Sequence, residues 1–448
     1  MNRFVARLTA AVIGISLLVS SAAVFAQDLK PPVHAIDLQD GDTLVFLGDS
    51  ITHQCLYTQY VEDYYYTRFP NRRIRFYNAG VSGDKAGDAL ARFAEDVKAQ
   101  KAKYITVLLG MNDGTYRHFD RETFDRYETD MTTVVEKIAE TGATAVLMGP
   151  SMYDARVSIA NPPRWIAKDP EQAKEVTGYY SAVLAFYGAW CRDQATHRGL
   201  GYVDLQGPME QLTRAQRVQN PAFTMIPDAV HPDANGQAVM AFSLLEQMQA
   251  TRQVSAVTAR RVAGKWRVNS GTGKVTEVEG DNQQLQFSFQ ANALPWVLPS
   301  EAAAGYAMTK AGHKMSNERL VVSGLEPGRY DLSIDGVKVG TYAHTQLAAK
   351  IELQANQVTP QYQQALAVAQ LNKERNEKAI RPLRNAWAQL RNKFTRPGKL
   401  GTDQYREYRV TFDKDIASLN QLSAEYADEI YAANQPRNLQ YEIAPASR

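Results

Sequence analysis

Between residues 41 and 250 short apolar runs alternate with stretches of helical period. Thr43–Leu47, Ile74–Tyr77, Ile105–Leu109 and Ala145–Met148 are runs rich in β-branched and aromatic side chains, and Tyr202–Leu205 is a weaker fifth. The intervening segments repeat apolar residues every three or four positions. Examples are Tyr57, Tyr60 and Tyr64; Leu90, Phe93 and Val97; and Phe124, Tyr127, Met131, Val134, Val135 and Ile138. Tyr179–Cys191 and Ala238–Met248 follow the same period. Strands that read as continuous apolar runs are buried on both faces, so the alternation predicts a three-layer α/β unit with a parallel sheet. Its crossovers should be right-handed.

The period changes after about residue 255. Leu285, Phe287 and Phe289 alternate with polar residues, as do Tyr330, Leu332 and Ile334 with Asp331 and Ser333. Turn signals at Glu326-Pro327-Gly328 and Asp335-Gly336 flank the second run, which predicts antiparallel hairpins. From Thr359-Pro360, an N-cap followed by proline, the pattern is helical again. Ile380, Leu383, Trp387, Leu390 and Phe394 form one stripe. Tyr405, Phe412, Ile416, Leu419, Leu422, Tyr426 and Ile430 form another, with "TRPGKLGT" between them. This predicts a helical hairpin whose apolar stripes close on each other. Pro382 should interrupt the first helix. The chain thus divides into 36–252, a β-rich region 255–355 and a helical hairpin region 356–448.

Residues 1–26 stand apart. Arg3 and Arg7 precede an apolar run that ends in small residues at Val24-Phe25-Ala26, the pattern of a cleaved secretory signal. No cysteine follows that point closely, and no other stretch approaches the roughly 20 apolar residues of a membrane span. Without this segment the formal net charge is +2 − 2 = 0. A neutral chain offers no electrostatic footprint for nucleic acid or an anionic membrane surface. An exported location, periplasmic or extracellular, would let the two cysteines, Cys55 and Cys191, pair; each also fits an apolar helical pattern as a buried free thiol. They do not form a metal-ligand pattern.

Four polar segments punctuate the α/β pattern. "GDS" places Ser50 at the end of the first strand and the start of a helix. "SGD" places Gly83 after the second strand. "GMND" places Asn112 after the third, and "DAVH" sets Asp228 three residues before His231. In an open parallel sheet, ligands bind at the carboxyl ends of the strands. Each segment alone reads equally as turn or cap chemistry. Together they bring a hydroxyl, two N–H donors and an Asp/His pair to one end of one sheet, a complete set for acyl transfer.

These four segments resemble, in order and spacing, the four blocks of the SGNH (GDSL) hydrolases, over residues 41–250. The resemblance implies a flavodoxin-like sheet. It also implies a Ser50–His231–Asp228 triad and an oxyanion hole made by Ser50, Gly83 and the Asn112 amide, with no metal or other cofactor. His53, one helical turn after Ser50, either lines the pocket or is a satisfied helix residue. Arg156, Arg164 and Trp165, after the fourth strand, either hold a sugar ring or carboxylate or form a plain surface loop. The expected function is a secreted serine esterase removing acyl groups, with acetyl groups on polysaccharide as the preferred substrate and lipids and small-molecule esters as the others. The alternatives are an O-acyltransferase using the same triad and a non-catalytic carbohydrate-binding or scaffold protein.

Overall fold

A computed structural model of the chain describes residues 31–161, 178–394 and 399–446. The first sheet holds β1 (Thr43–Gly48), β2 (Arg75–Gly80), β3 (Tyr104–Leu108), β4 (Thr144–Met148) and β5 (Gly201–Val203) in the order β2-β1-β3-β4-β5. All four pairings are parallel. Every residue of β1, an interior strand of the sheet, is buried, because helices cover both faces.

The helices are α1 (Ser50–His53), α2 (Leu56–Arg68), α3 (Ala86–Arg92), α4 (Arg121–Glu140), α5 (Ala155–Ala160), α6 (Tyr180–Arg198), α7 (Gln206–Arg217) and α8 (Ala234–Gln247). Helix α8 packs on α2, and α3 on α4, as right-handed crossovers on this strand order require. Asp233 caps α8, its carboxylate accepting from the Gly236 N–H at 2.9 Å. The strand order reverses between β1 and β3. Such a switch point opens a crevice at the strand ends, and Ser50 and Asn112 flank it.

Two further sheets follow. One has the order β13-β10-β6-β7, made of Ile351–Glu352, Asn317–Ser323, Gln253–Val262 and Lys265–Ser270. The other has the order β12-β11-β14-β9-β8, made of Val337–Ala343, Arg329–Ile334, Asn438–Pro445, Leu285–Ala291 and Gly273–Gly280. Their inner faces share one core that includes Val257, Phe287, Leu320, Leu332 and Tyr441. The expected hairpin at Asp335-Gly336 is present, with φ of +48° and +75° at the two turn residues, a conformation that suits Asp-Gly. Two features depart from the sequence pattern. β6 and β10 pair in parallel rather than as a hairpin. The chain's last strand, β14, leaves the helical region to lie between β11 and β9.

The helical region consists of α9 (Pro360–Arg375), α10 (Arg381–Phe394) and α11 (Asp403–Ala433). Thr359 caps α9 with proline at its first turn. Pro382 does not end the helix. A single π turn, Asn376–Ile380, joins α9 to α10 and widens the helix just where a residue without an N–H enters. Leu383, Trp387, Leu390, Phe394, Phe412 and Ile430 are buried, and they belong to the same core as the parallel sheet. This helical arm therefore lies against the α/β unit and the apolar stripes are satisfied within the chain. Among the described residues, no helix is long and apolar enough to cross a membrane.

Candidate active site

β1 ends at Gly48, where a Cβ would lie 2.1 Å from Thr52 Oγ1 and 2.9 Å from the Leu108 carbonyl oxygen. Only glycine lets the chain turn so close to β3. The Asp49 carboxylate caps the next turn by accepting from the Ile51 N–H at 3.0 Å. Cap and candidate nucleophile are thus neighbours, and Ser50 opens α1 with its hydroxyl at the carboxyl end of the sheet.

The Ser50 Oγ lies 2.8 Å from His231 Nε2. His231 Nδ1 lies 2.7 Å from Asp228 Oδ2. Between the two, Ala229 adopts the left-handed region, φ +73°. This folds the loop back so that Asp228 Oδ1 accepts the N–H groups of Val230 and His231, at 3.0 and 2.7 Å. Both oxygens of the carboxylate are engaged, and a non-glycine residue held at positive φ marks a locally strained site. Burial works to raise the Asp228 pKa, but the His231 ring and the two N–H groups outweigh it and hold it at about 2. Burial works to lower the His231 pKa, and the hydrogen bond and charge of Asp228 outweigh that, leaving it raised. The side chains of His231 and Asp228 keep 30% and 46% exposure, so the pair opens to solvent.

Gly83 has φ +80°, in a tight loop closed by the Asp84 N–H on the Val81 carbonyl at 3.1 Å. The Asn112 amide donates to the Asp84 carbonyl at 3.0 Å and accepts from the Tyr116 hydroxyl at 2.8 Å. Its flip state is thereby defined, with one N–H left over. Among the described residues, neither the Ser50 nor the Gly83 N–H donates to a protein acceptor. Burial pushes the carboxyls of Asp49 and Asp113 up to about 7.

The remaining candidates fall elsewhere. His53 is buried, with Nδ1 3.0 Å from Ser82 Oγ and 3.1 Å from the Ser82 nitrogen, and Nε2 3.0 Å from Asn385 Oδ1. Burial drives its pKa down to about 4, so the ring is neutral, and both nitrogens are occupied by protein. Arg156 is exposed on α5. Arg164, Trp165 and the expected signal at 1–26 lie outside the described residues. Cys55 and Cys191 are buried free thiols, the latter 3.2 Å from the Tyr127 hydroxyl. Among the described residues, no group of three or more His, Cys, Asp or Glu could hold a metal ion.

Beneath the loops lies a buried polar network that the motifs do not disclose. Asp84 meets Arg92 Nε at 2.8 Å, and Arg92 also pairs with Asp96. Arg384, from α10, grips both Asp96 oxygens at 2.9 and 2.6 Å and donates to the Gly80 carbonyl at 2.9 Å. Nothing local in the sequence marks Ala229, Tyr116 or Arg384; the adjacency of Asp84 to Gly83 is the one available signal.

Comparison with known proteins agrees with this geometry. Residues 46–239 match the model of the GDSL-like lipase/acylhydrolase family. An acetylxylan esterase of Geobacillus stearothermophilus is 24% identical over 231 residues, which is 94% of that protein and 46% of this chain. The solved structure of a gut microbial diltiazem-metabolizing enzyme superposes with a TM-score of 0.80 at 24% identity, covering 92% of this chain and 99% of the other. The first relative thus accounts for less than half of this chain, while the second shares the fold over nearly all of it. Through residues 46–239 the chain is similar to the GDSL-like lipase/acylhydrolase family, the SGNH hydrolases, and it is an ester-hydrolysing enzyme.

Proposed function

We propose that this esterase is exported and removes acetyl groups from carbohydrate through a Ser50–His231–Asp228 triad. The observation that carries the reading is the unbroken chain from Ser50 Oγ to His231 Nε2 and from His231 Nδ1 to Asp228 Oδ2, at 2.8 and 2.7 Å. Ser50 attacks the ester carbonyl as His231 takes its proton. The carbonyl oxygen becomes an oxyanion facing the N–H groups of Ser50 and Gly83 and the free N–H of Asn112. His231 then hands the proton to the leaving alcohol. Water attacks the acyl-enzyme with His231 again as base, and carboxylate and free Ser50 result. Asp228, ionised at any pH above about 2, fixes the imidazole tautomer and stabilises the imidazolium.

The exposure of the His231–Asp228 pair supports hydrolysis over transfer to a second alcohol, because transfer requires water to be kept out. The carbohydrate substrate rests on the acetylxylan esterase relative, and export on the signal pattern of residues 1–26. In this reading 36–252 carries the chemistry and 255–448 braces it. The test is release of p-nitrophenol from p-nitrophenyl acetate and of acetate from acetylated xylan. Wild type should act on both, and Ser50→Ala, with unchanged circular dichroism, on neither. Activity surviving in Ser50→Ala would refute the triad, and activity on the small ester alone would refute the substrate class.

A further inference from the structure

We propose that Arg391, contributed by the C-terminal helical arm, is a positioning residue for the oxyanion hole. The proposal rests on the reading of Gly83 as an oxyanion donor. The N–H of Gly83 and the carbonyl of Ser82 belong to one peptide group, and in a trans peptide they point in opposite directions. Arg391 Nη1 donates to the Ser82 carbonyl at 2.9 Å and to Asp84 Oδ1 at 2.5 Å. The guanidinium thus spans the loop from the back. Its other terminal nitrogen comes within 3.2 Å of where a Cβ on Gly83 would stand.

Holding the carbonyl aims the N–H at the substrate side. A cation on the carbonyl oxygen also polarises the peptide, which makes its N–H a stronger donor. The other half of Ser82 is held from the same helix. His53 Nδ1 receives the Ser82 N–H, and His53 Nε2 donates to Asn385. One residue before the loop, Arg384 holds the Gly80 carbonyl. Arg384 and Arg391 are seven residues, about two turns, apart on α10, and Asn385 follows Arg384. The adjoining stripe of Leu383, Trp387, Leu390 and Phe394 is buried in the core. A helix anchored by one face therefore presents its polar face to the loop that would stabilise the transition state.

The test measures p-nitrophenyl acetate hydrolysis and inhibition by phenylboronic acid, whose tetrahedral serine adduct puts an oxygen in the oxyanion position. Wild type, Arg391→Ala, Arg391→Lys and Ser50→Ala are compared. Removing a full oxyanion donor costs about 100- to 1000-fold, so misaiming one should lower kcat about 10- to 100-fold. KM should stay within about twofold, since the contact matters only in the transition state. Boronate affinity should fall by the same factor as kcat. Arg391→Lys, which reaches one acceptor of the two, should recover part of both losses.

If Arg391→Ala keeps kcat within about twofold of wild type, or loses kcat with boronate affinity unchanged, the positioning role is refuted. Asp84 retains Arg92, so the loop is expected to stay folded; if Arg391→Ala does not fold, the same criteria apply to Arg391→Met. Activity that survives in Ser50→Ala would instead overturn the underlying reading of the site, and this proposal with it.

Discussion

Replacing Arg384 with methionine removes one charge from a place with no solvent. Arg384 and Asp96 are both 0% exposed at the side chain. The guanidinium also sits 5.7 and 5.8 Å from the ring centres of Tyr77 and Trp387. Methionine fills much of the space, but Asp96 keeps only Arg92 and the Tyr77 hydroxyl, and the Gly80 carbonyl loses its arginine donor. Removing one partner of a buried ion pair costs about 3–5 kcal/mol. The lower half of that range is expected here because Arg92 remains. Against a typical total stability of about 5–15 kcal/mol, that is a large fraction.

The loss should depend on pH. In the wild type, burial works to raise the Asp96 pKa, and the charge and hydrogen bonds of Arg384, with Arg92, outweigh it and leave it lowered. A lowered folded pKa contributes stability that is present above the unfolded value and lost as pH falls through the folded one. Without Arg384 the burial effect prevails and the folded pKa moves above 3.8. Asp96 then costs stability increasingly as pH rises. The gap between the proteins should widen from about pH 4.5 to pH 7. Urea titrations followed by circular dichroism at both pH values measure it. A difference below about 1 kcal/mol at pH 7, or one that narrows with rising pH, would refute the reasoning.

Three further outcomes are expected. The acid limb of kcat/KM should titrate above pH 6.5, because in the proposed triad His231 acts as base only when neutral and its pKa is raised by Asp228; a limb below 6.5 in a pH–rate profile would contradict this. Asp228→Asn should lower kcat about 10⁴-fold while circular dichroism stays unchanged, and a loss under about tenfold would remove Asp228 from the triad. A chain cut after residue 254 should not fold cooperatively, since buried Glu62 loses Arg375, Asp96 keeps only Arg92 of its two arginines, and breaking a buried ion pair costs about 3–5 kcal/mol. Soluble protein with a sharp thermal transition and wild-type kcat would show the arm to be dispensable.

The strands of the parallel sheet and the segments around Ser50, Gly83, Asn112 and His231 were legible in the amino-acid order. A doubly covered strand must be apolar throughout, and catalytic loops must follow strand ends, so both leave local marks. The bracing of the site left none. Arg384 and Asp96 are 288 positions apart, and in a helix with an apolar stripe Arg384, Asn385 and Arg391 look like an ordinary polar face. Periodicity reports that a face is buried, not what it is buried against. Nor does it reveal that β14 crosses into the sheet of β9 and β11, that β6 pairs in parallel with β10, or that Ala229 is held at positive φ. Those outcomes depend on which distant surfaces meet, and only the folded chain decides that.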